Sequence, residues 1–292
     1  SSDLPKGKSK LKKVLMFLGF ALINVGVIAY IAVKEFAGGE NKAESVPVSQ
    51  INFFFILAGI GCFALCILME TFKYEAMIRA SAGKSDKRTA FEVAVLGKYY
   101  DNITPLGAGG QPFQIFHLKK RGYTGGTAAS LPIAGFVVLQ MSFVFLALII
   151  FIFNGGAADA YPVIKYSAYV GLLFYAFVPT VIVLFSLMPR TFGKIIKGFL
   201  WLCHRLHIVK DFEKTSQKVF VSLEEYRSSL VLISKTPMLI SKTFFFSLVY
   251  EASLMSMPYF VLRAFGVHES FFQLFSLCVF IYAAISFIPT PG

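Results

Sequence analysis

Lys98 and Asp101 stand three residues apart, just before a run that cannot remain helical: Thr104-Pro105-Leu106-Gly107-Ala108-Gly109-Gly110-Gln111-Pro112. Proline removes a backbone donor and glycine permits positive φ, so such a run leaves amide groups free. Free amides and the start of a following half-helix carry partial positive charge, which suits a phosphate or carboxylate. Tyr99, Tyr100, Asn102, Gln111, Gln114 and His117 surround the break with further hydroxyl, amide and imidazole groups. In one reading Lys98 binds an anionic headgroup while these groups guide its polar parts. In the other, Lys98 and Asp101 share a helix face, neutralise each other and only stabilise the segment. A second break, Pro289-Thr290-Pro291-Gly292, closes the chain.

The candidate binding residues around the first break are Lys98, Tyr99, Tyr100, Asp101, Asn102, Thr104, Pro105, Gly107, Gly109, Gly110, Gln111 and Gln114. The second break contributes Pro289, Thr290, Pro291 and Gly292, and one acidic residue, Glu251, lies apart from both. Glu251 falls about the middle of an apolar stretch, beside Tyr250 and near Ser247 and Ser253. A charge there is costly to insert and needs a partner or a purpose. It could pair with a lysine, bind an amine-bearing headgroup, carry a coupling proton, or form an interhelical hydrogen bond. Glu70, at the inner end of another apolar stretch, reads as interfacial.

The elements that must position these residues are membrane helices. The chain is 56% hydrophobic and 33 of its 292 residues are Phe, too oily for a soluble surface of this size. Stretches near the ~20 residues needed to cross a bilayer occur at 14–33, 51–69, 127–153, 166–188 and 243–262, with a shorter one at 271–288. The fold class is therefore all-α, a polytopic transmembrane bundle with two broken, re-entrant segments. The pieces either side of the glycine run are each about a dozen residues, under ~20 Å as helix and too short to span. A crossing there would also place Lys119, Lys120 and Arg121 outside and invert everything downstream, so a hairpin that dips in and returns is expected.

Net charge is +12, but its placement argues against nucleic acid as the partner. Lysines 6 to 13, the group Lys73, Arg79, Lys84, Lys87 and Arg88, and the basic 189–242 region alternate with the loops 34–50 and 154–165, where acidic residues offset three lysines. This is the positive-inside pattern, with a cytoplasmic N-terminus in the plasma membrane. Residues 189–242 read as a basic amphipathic helical region, either lying on the inner leaflet or packed against the bundle, where basic residues would attract anionic headgroups. Cys62, Cys66, Cys203 and Cys278 have the spacing of reduced packing residues, not of a disulfide framework.

Helix, helix, broken segment recurs in opposite orientation, giving an inverted-topology repeat within one transmembrane domain: repeat one at about 14–153, repeat two at about 166–292. Repeat two stops at its break, so further residues are expected beyond Gly292. Gly83-Lys84-Ser85 lacks the upstream glycine of a phosphate loop, and His204 with His207 makes a poor metal site. With no catalytic motif, no cofactor and no metal expected, the chain reads as a translocator rather than an enzyme. A membrane-embedded transferase acting on lipid-linked substrates, or a scaffold for a separate lipid-modifying enzyme, is the alternative.

The segment Lys98-Tyr99-Tyr100-Asp101-Asn102-Ile103-Thr104-Pro105-Leu106-Gly107-Ala108-Gly109-Gly110-Gln111-Pro112, with Phe287-Ile288-Pro289-Thr290-Pro291-Gly292, resembles the flippase-like membrane domain of lysyl-phosphatidylglycerol synthase. The resemblance implies a bacterial or archaeal multi-pass protein, some members of which move an aminoacylated phospholipid between leaflets. It does not extend to the soluble synthase module, so no transferase activity is carried over. Expected partners are membrane phospholipids, anionic or aminoacylated, and for protein partners a second copy or a soluble synthase.

Overall fold

The computed structural model describes residues 50–104, 110–187 and 236–285, with the isolated positions 198 and 217. The expected first helix at 14–33, most of the basic 189–242 region and the second break lie outside the described residues. The described chain is helical: α1 (Phe53–Ala82), α2 (Lys87–Ile103), α3 (Gly110–Lys120), α4 (Gly125–Phe153), α5 (Pro162–Leu187), α6 (Pro237–Ala264) and α7 (Phe271–Ile285). Helices α1, α4, α5 and α6 are long and apolar enough to cross a bilayer, whereas α7 is shorter. Large apolar side chains such as Phe54, Ile152, Phe153, Leu173 and Phe177 cover their outward faces. A bundle with this surface is at home in lipid rather than water.

Local chemistry sets the helix ends. Asn52 caps α1 by accepting from Phe54 N, and Gly83 closes it at φ 71°, its N–H donating to Arg79 O. That left-handed geometry suits glycine, which has no Cβ to clash. Asp86 then caps α2 through Thr89 N, and Thr124 caps α4 through Thr127 N. Pro237 occupies the first turn of α6, where its missing N–H costs nothing. Two boundaries differ from the hydropathy reading. Helix α1 continues through Ala82, past the apolar stretch that ends at residue 69. Helix α6 begins at Pro237, so 237–242 belongs to a membrane-crossing helix and not to the basic region before it.

Helices α1 and α6 share the most extensive interface and run antiparallel. Asn52 N meets Ala264 O at 3.0 Å, Cys66 Sγ approaches Tyr250 O at 3.5 Å, and the rings of Phe72 and Phe246 lie 5.8 Å apart. Helices α2 and α3 form an antiparallel hairpin: Glu92, early in α2, reaches His117 late in α3 and Arg121 just after it, while Asp101, late in α2, meets the first residue of α3. Two apolar cores form. One joins Met77, Ile78, Ala90, Val93, Leu118 and Leu131, where α1, the hairpin and α4 meet. The other is aromatic and joins Phe143, Leu172, Met255, Phe275 and Phe280 of α4 to α7.

Candidate functional site

A cavity of about 860 Å³ opens in the bundle, lined by side chains of every described helix. Its polar wall comes from Glu70, Lys73 and Tyr74 of α1, Lys98, Asp101 and Asn102 of α2, and Gln111 and Gln114 of α3. Gln140 of α4, Tyr175 of α5, Tyr250 and Glu251 of α6, and Tyr282 of α7 complete it. Phe136, Leu139, Leu254, Pro258, Ile281 and Ile285 supply an apolar wall. The cavity is therefore amphipathic, which fits a molecule with a polar head and an oily body.

Each charge on the polar wall has an assigned place. Lys73 is only 1% exposed; its Nζ lies 2.8 Å from Glu70 Oε2 and donates to Gly135 O at 3.2 Å. Such a buried pair is retained only if each ion keeps its partner. Lys98 Nζ donates to the Tyr250 hydroxyl at 3.1 Å and lies 5.7 Å from the centre of its ring. Asp101 Oδ1 accepts from Gly110 N at 2.7 Å, so the carboxylate holds the start of α3 against the end of α2. Lys98 and Asp101 make no direct ion pair with each other; each is held by one of these two contacts. Glu251 is 3% exposed, and its Oε2 has no hydrogen-bond partner among the described residues.

Small residues let the walls approach. A Cβ on Gly97 would lie 2.1 Å from Gln114 Nε2, and one on Gly110 would lie 2.5 Å from Asp101 Oδ1. Gln114 uses that space to donate to Val93 O at 2.9 Å and to accept from the Tyr74 hydroxyl at 3.2 Å. This ties α1, α2 and α3 together through a single amide.

The structure thus brings together Lys98, Asp101, Asn102, Gln111, Gln114 and Glu251 among the residues expected from sequence. Tyr99 instead faces outward at 47% exposed, and Tyr100 stacks on Phe113 with ring centres 3.5 Å apart. Thr104 returns its hydroxyl to Tyr100 O at 2.7 Å, and Gly110 contributes its amide to Asp101. Pro105, Gly107, Gly109, Pro289, Thr290, Pro291 and Gly292 lie outside the described residues. Lys73, Tyr74, Tyr175 and Tyr282 join the wall without having been singled out, and Glu70 lines the cavity beside Lys73. The three-residue spacing of Glu70 and Lys73 within one helix is the signal that could have found that pair.

At the other end of the hairpin Arg88 is exposed, while Glu92 and His117 are half-buried. Glu92 accepts from Arg88 Nε at 3.1 Å, contacts His117 Nε2 at 2.9 Å and takes a further bond from Arg121. Desolvation works to raise the Glu92 carboxyl, but the hydrogen bonds from Arg121, Arg88 and His117 outweigh it and hold the group below its ordinary range. Asp86 is likewise held low, by the Thr89 hydroxyl and amide.

Comparisons with curated proteins and with solved structures each gave no match. A family model described as "Lysylphosphatidylglycerol synthase TM region" matches residues 16–292, nearly the whole chain. With its apolar crossing helices and its charged cavity between them, the chain belongs to the family of the lysylphosphatidylglycerol synthase transmembrane region.

Proposed function

We propose that this protein moves a phospholipid, or another amphiphile with a polar head, between the leaflets of the plasma membrane. The observation that carries this reading is the cavity itself: two lysines, three carboxylates and four tyrosines face an apolar wall within one bundle of membrane helices. Charges are costly at membrane depth, and such a concentration of them marks a pathway or a binding site. The headgroup occupies the polar wall, with its phosphate near Lys98, while the acyl chains lie along the apolar side. The α2–α3 hairpin dips into the membrane from the cytoplasmic side and returns, which its antiparallel packing and its paired charged base favour. The antiparallel contact of α1 with α6, the second helix of each proposed inverted repeat, favours a rocking of the repeats about that interface.

Reconstitution in liposomes with fluorescent phospholipids tests this directly. The expected result is exchange between leaflets faster than in protein-free vesicles for at least one phosphate-bearing lipid class. Equal rates across several lipid classes would overturn the proposal.

A further inference from the structure

Glu251 has no role so far beyond lining the wall. It is 3% exposed near the middle of α6, and its Oε2 lacks a hydrogen bond among the described residues. Both ammonium groups that the described residues bring to the cavity are already engaged: Lys73 with Glu70 and Gly135 O, Lys98 with the Tyr250 hydroxyl. Three carboxylates, Glu70, Asp101 and Glu251, therefore face two lysines. Among the described residues lining the cavity, carboxylates outnumber lysines by one, and Glu251 is the carboxylate with neither an ion pair nor a hydrogen bond to its Oε2. A carboxylate buried in this way must recruit a cation or take up a proton.

The titratable and charged groups around it are known on each element. Helix α1 presents Cys66, Glu70, Lys73 and Tyr74, and α2 presents Lys98 and Asp101. Helix α5 contributes Tyr175, α7 contributes Cys278 and Tyr282, and Tyr250 precedes Glu251 on α6 itself. Helix α4 offers only the uncharged Gln140, whose Oε1 is also unpartnered.

We infer that Glu251 is a proton-exchanging site that couples headgroup movement to a proton gradient, an inference that rests on the translocation reading above. A negative Glu251 repels a phosphate approaching Lys98, whereas a protonated one does not, so proton and phosphate favour each other's binding. The step is a proton transfer only. An O–H bond forms on the Glu251 carboxylate with a proton from one aqueous face and breaks on release to the other. Lipid and proton then travel in the same direction.

The test uses the protein in liposomes with acyl-labelled phosphatidylglycerol and an imposed pH difference of about one unit. One proton per lipid corresponds to a leaflet ratio of up to about tenfold, with excess facing the more alkaline side. The wild type should approach that bias. Glu251→Gln should lose it, whatever its rate of exchange, and Glu251→Asp should retain part of it. A Glu251→Gln protein that keeps the wild-type bias, or a bias driven by a sodium gradient at equal pH, would overturn the inference. A wild type that moves neither phosphatidylglycerol nor any other phosphate-bearing lipid class removes the translocation reading instead. Infrared difference spectra then decide the proton site alone: a carboxylic-acid carbonyl band that titrates in the wild type, moves in Glu251→Asp and is missing from Glu251→Gln supports it. Identical spectra for the three proteins overturn it.

Discussion

The two ends of the α2–α3 hairpin carry similar charges in different surroundings, one beside exposed cations and one beside the cavity. At the base, Glu92 gathers Arg88, His117 and Arg121, and the Arg88 side chain is 81% exposed. At the tip, Asp101 receives a backbone amide and Lys98 a tyrosine hydroxyl, both beside a cavity. Exposed pairs contribute little because water competes for each ion and salt screens them. Enclosed charges are expensive to strand, so their partners are fixed by necessity. The base therefore needs charge of the right sign, whereas the tip needs particular atoms in particular places. The same distinction separates Lys73, sealed against Glu70, from the lysines of the surface.

Lys73→Met should break the enclosed side hardest. Removing one partner of a buried ion pair costs about 3–5 kcal/mol, so detergent-solubilised protein should show a large loss in denaturation midpoint. The double change Lys73→Met with Glu70→Gln should recover much of it. Gly110→Ala comes next: its methyl group meets the Asp101 carboxylate, and losing that charge-assisted bond costs about 2 kcal/mol, read as a slower lipid exchange rate. Lys98→Ala should lower exchange of anionic lipids about tenfold, the scale of one charged contact, while leaving membrane insertion intact.

The smallest effect belongs to the base. Glu92→Gln should change stability by less than about 1 kcal/mol, as for other exposed pairs. Its pH dependence has a defined sign. Glu92 and Asp86 both titrate below their ordinary values of 4.5 and 3.8 in the folded protein. Their contribution is thus complete above those values and is lost as pH falls through the lower folded ones. Hydrogen exchange in the last turn of α3, taken relative to the intrinsic rate of an unstructured chain at each pH, should stay constant from neutrality to roughly pH 5 and accelerate only in more acidic solution. Acceleration near pH 6 would show that the base depends on a different group.

Much of this molecule was legible in hydropathy and breakers. Apolar runs located α1, α4, α5, α6 and α7, and the short pieces around the glycine run implied a hairpin. Lys98, Asp101 and Glu251 stood out because charge among oily residues demands an explanation. Hydropathy was blind where a helix outlasts its apolar stretch: α1 continues to Ala82, so Lys73 lies inside the bundle and not among the surface cations. Tyr175 and Tyr282 gave no signal because tyrosine in an apolar run looks like packing until a cavity is found beside it. Tyr99 was overread for the opposite reason. It neighbours the break in sequence, but the helical turn sends it outward.

The claim most open to direct measurement is that the hairpin enters and leaves the membrane by one face. Lys87→Cys and Lys120→Cys, each in a background without Cys62, Cys66, Cys203 and Cys278, place single thiols at exposed positions at the two ends of the hairpin base. A membrane-impermeant maleimide should label both from the cytoplasmic side and neither from the outside. Labelling of Lys87→Cys from one face and Lys120→Cys from the other would make the segment a crossing and remove the hairpin from the transport route.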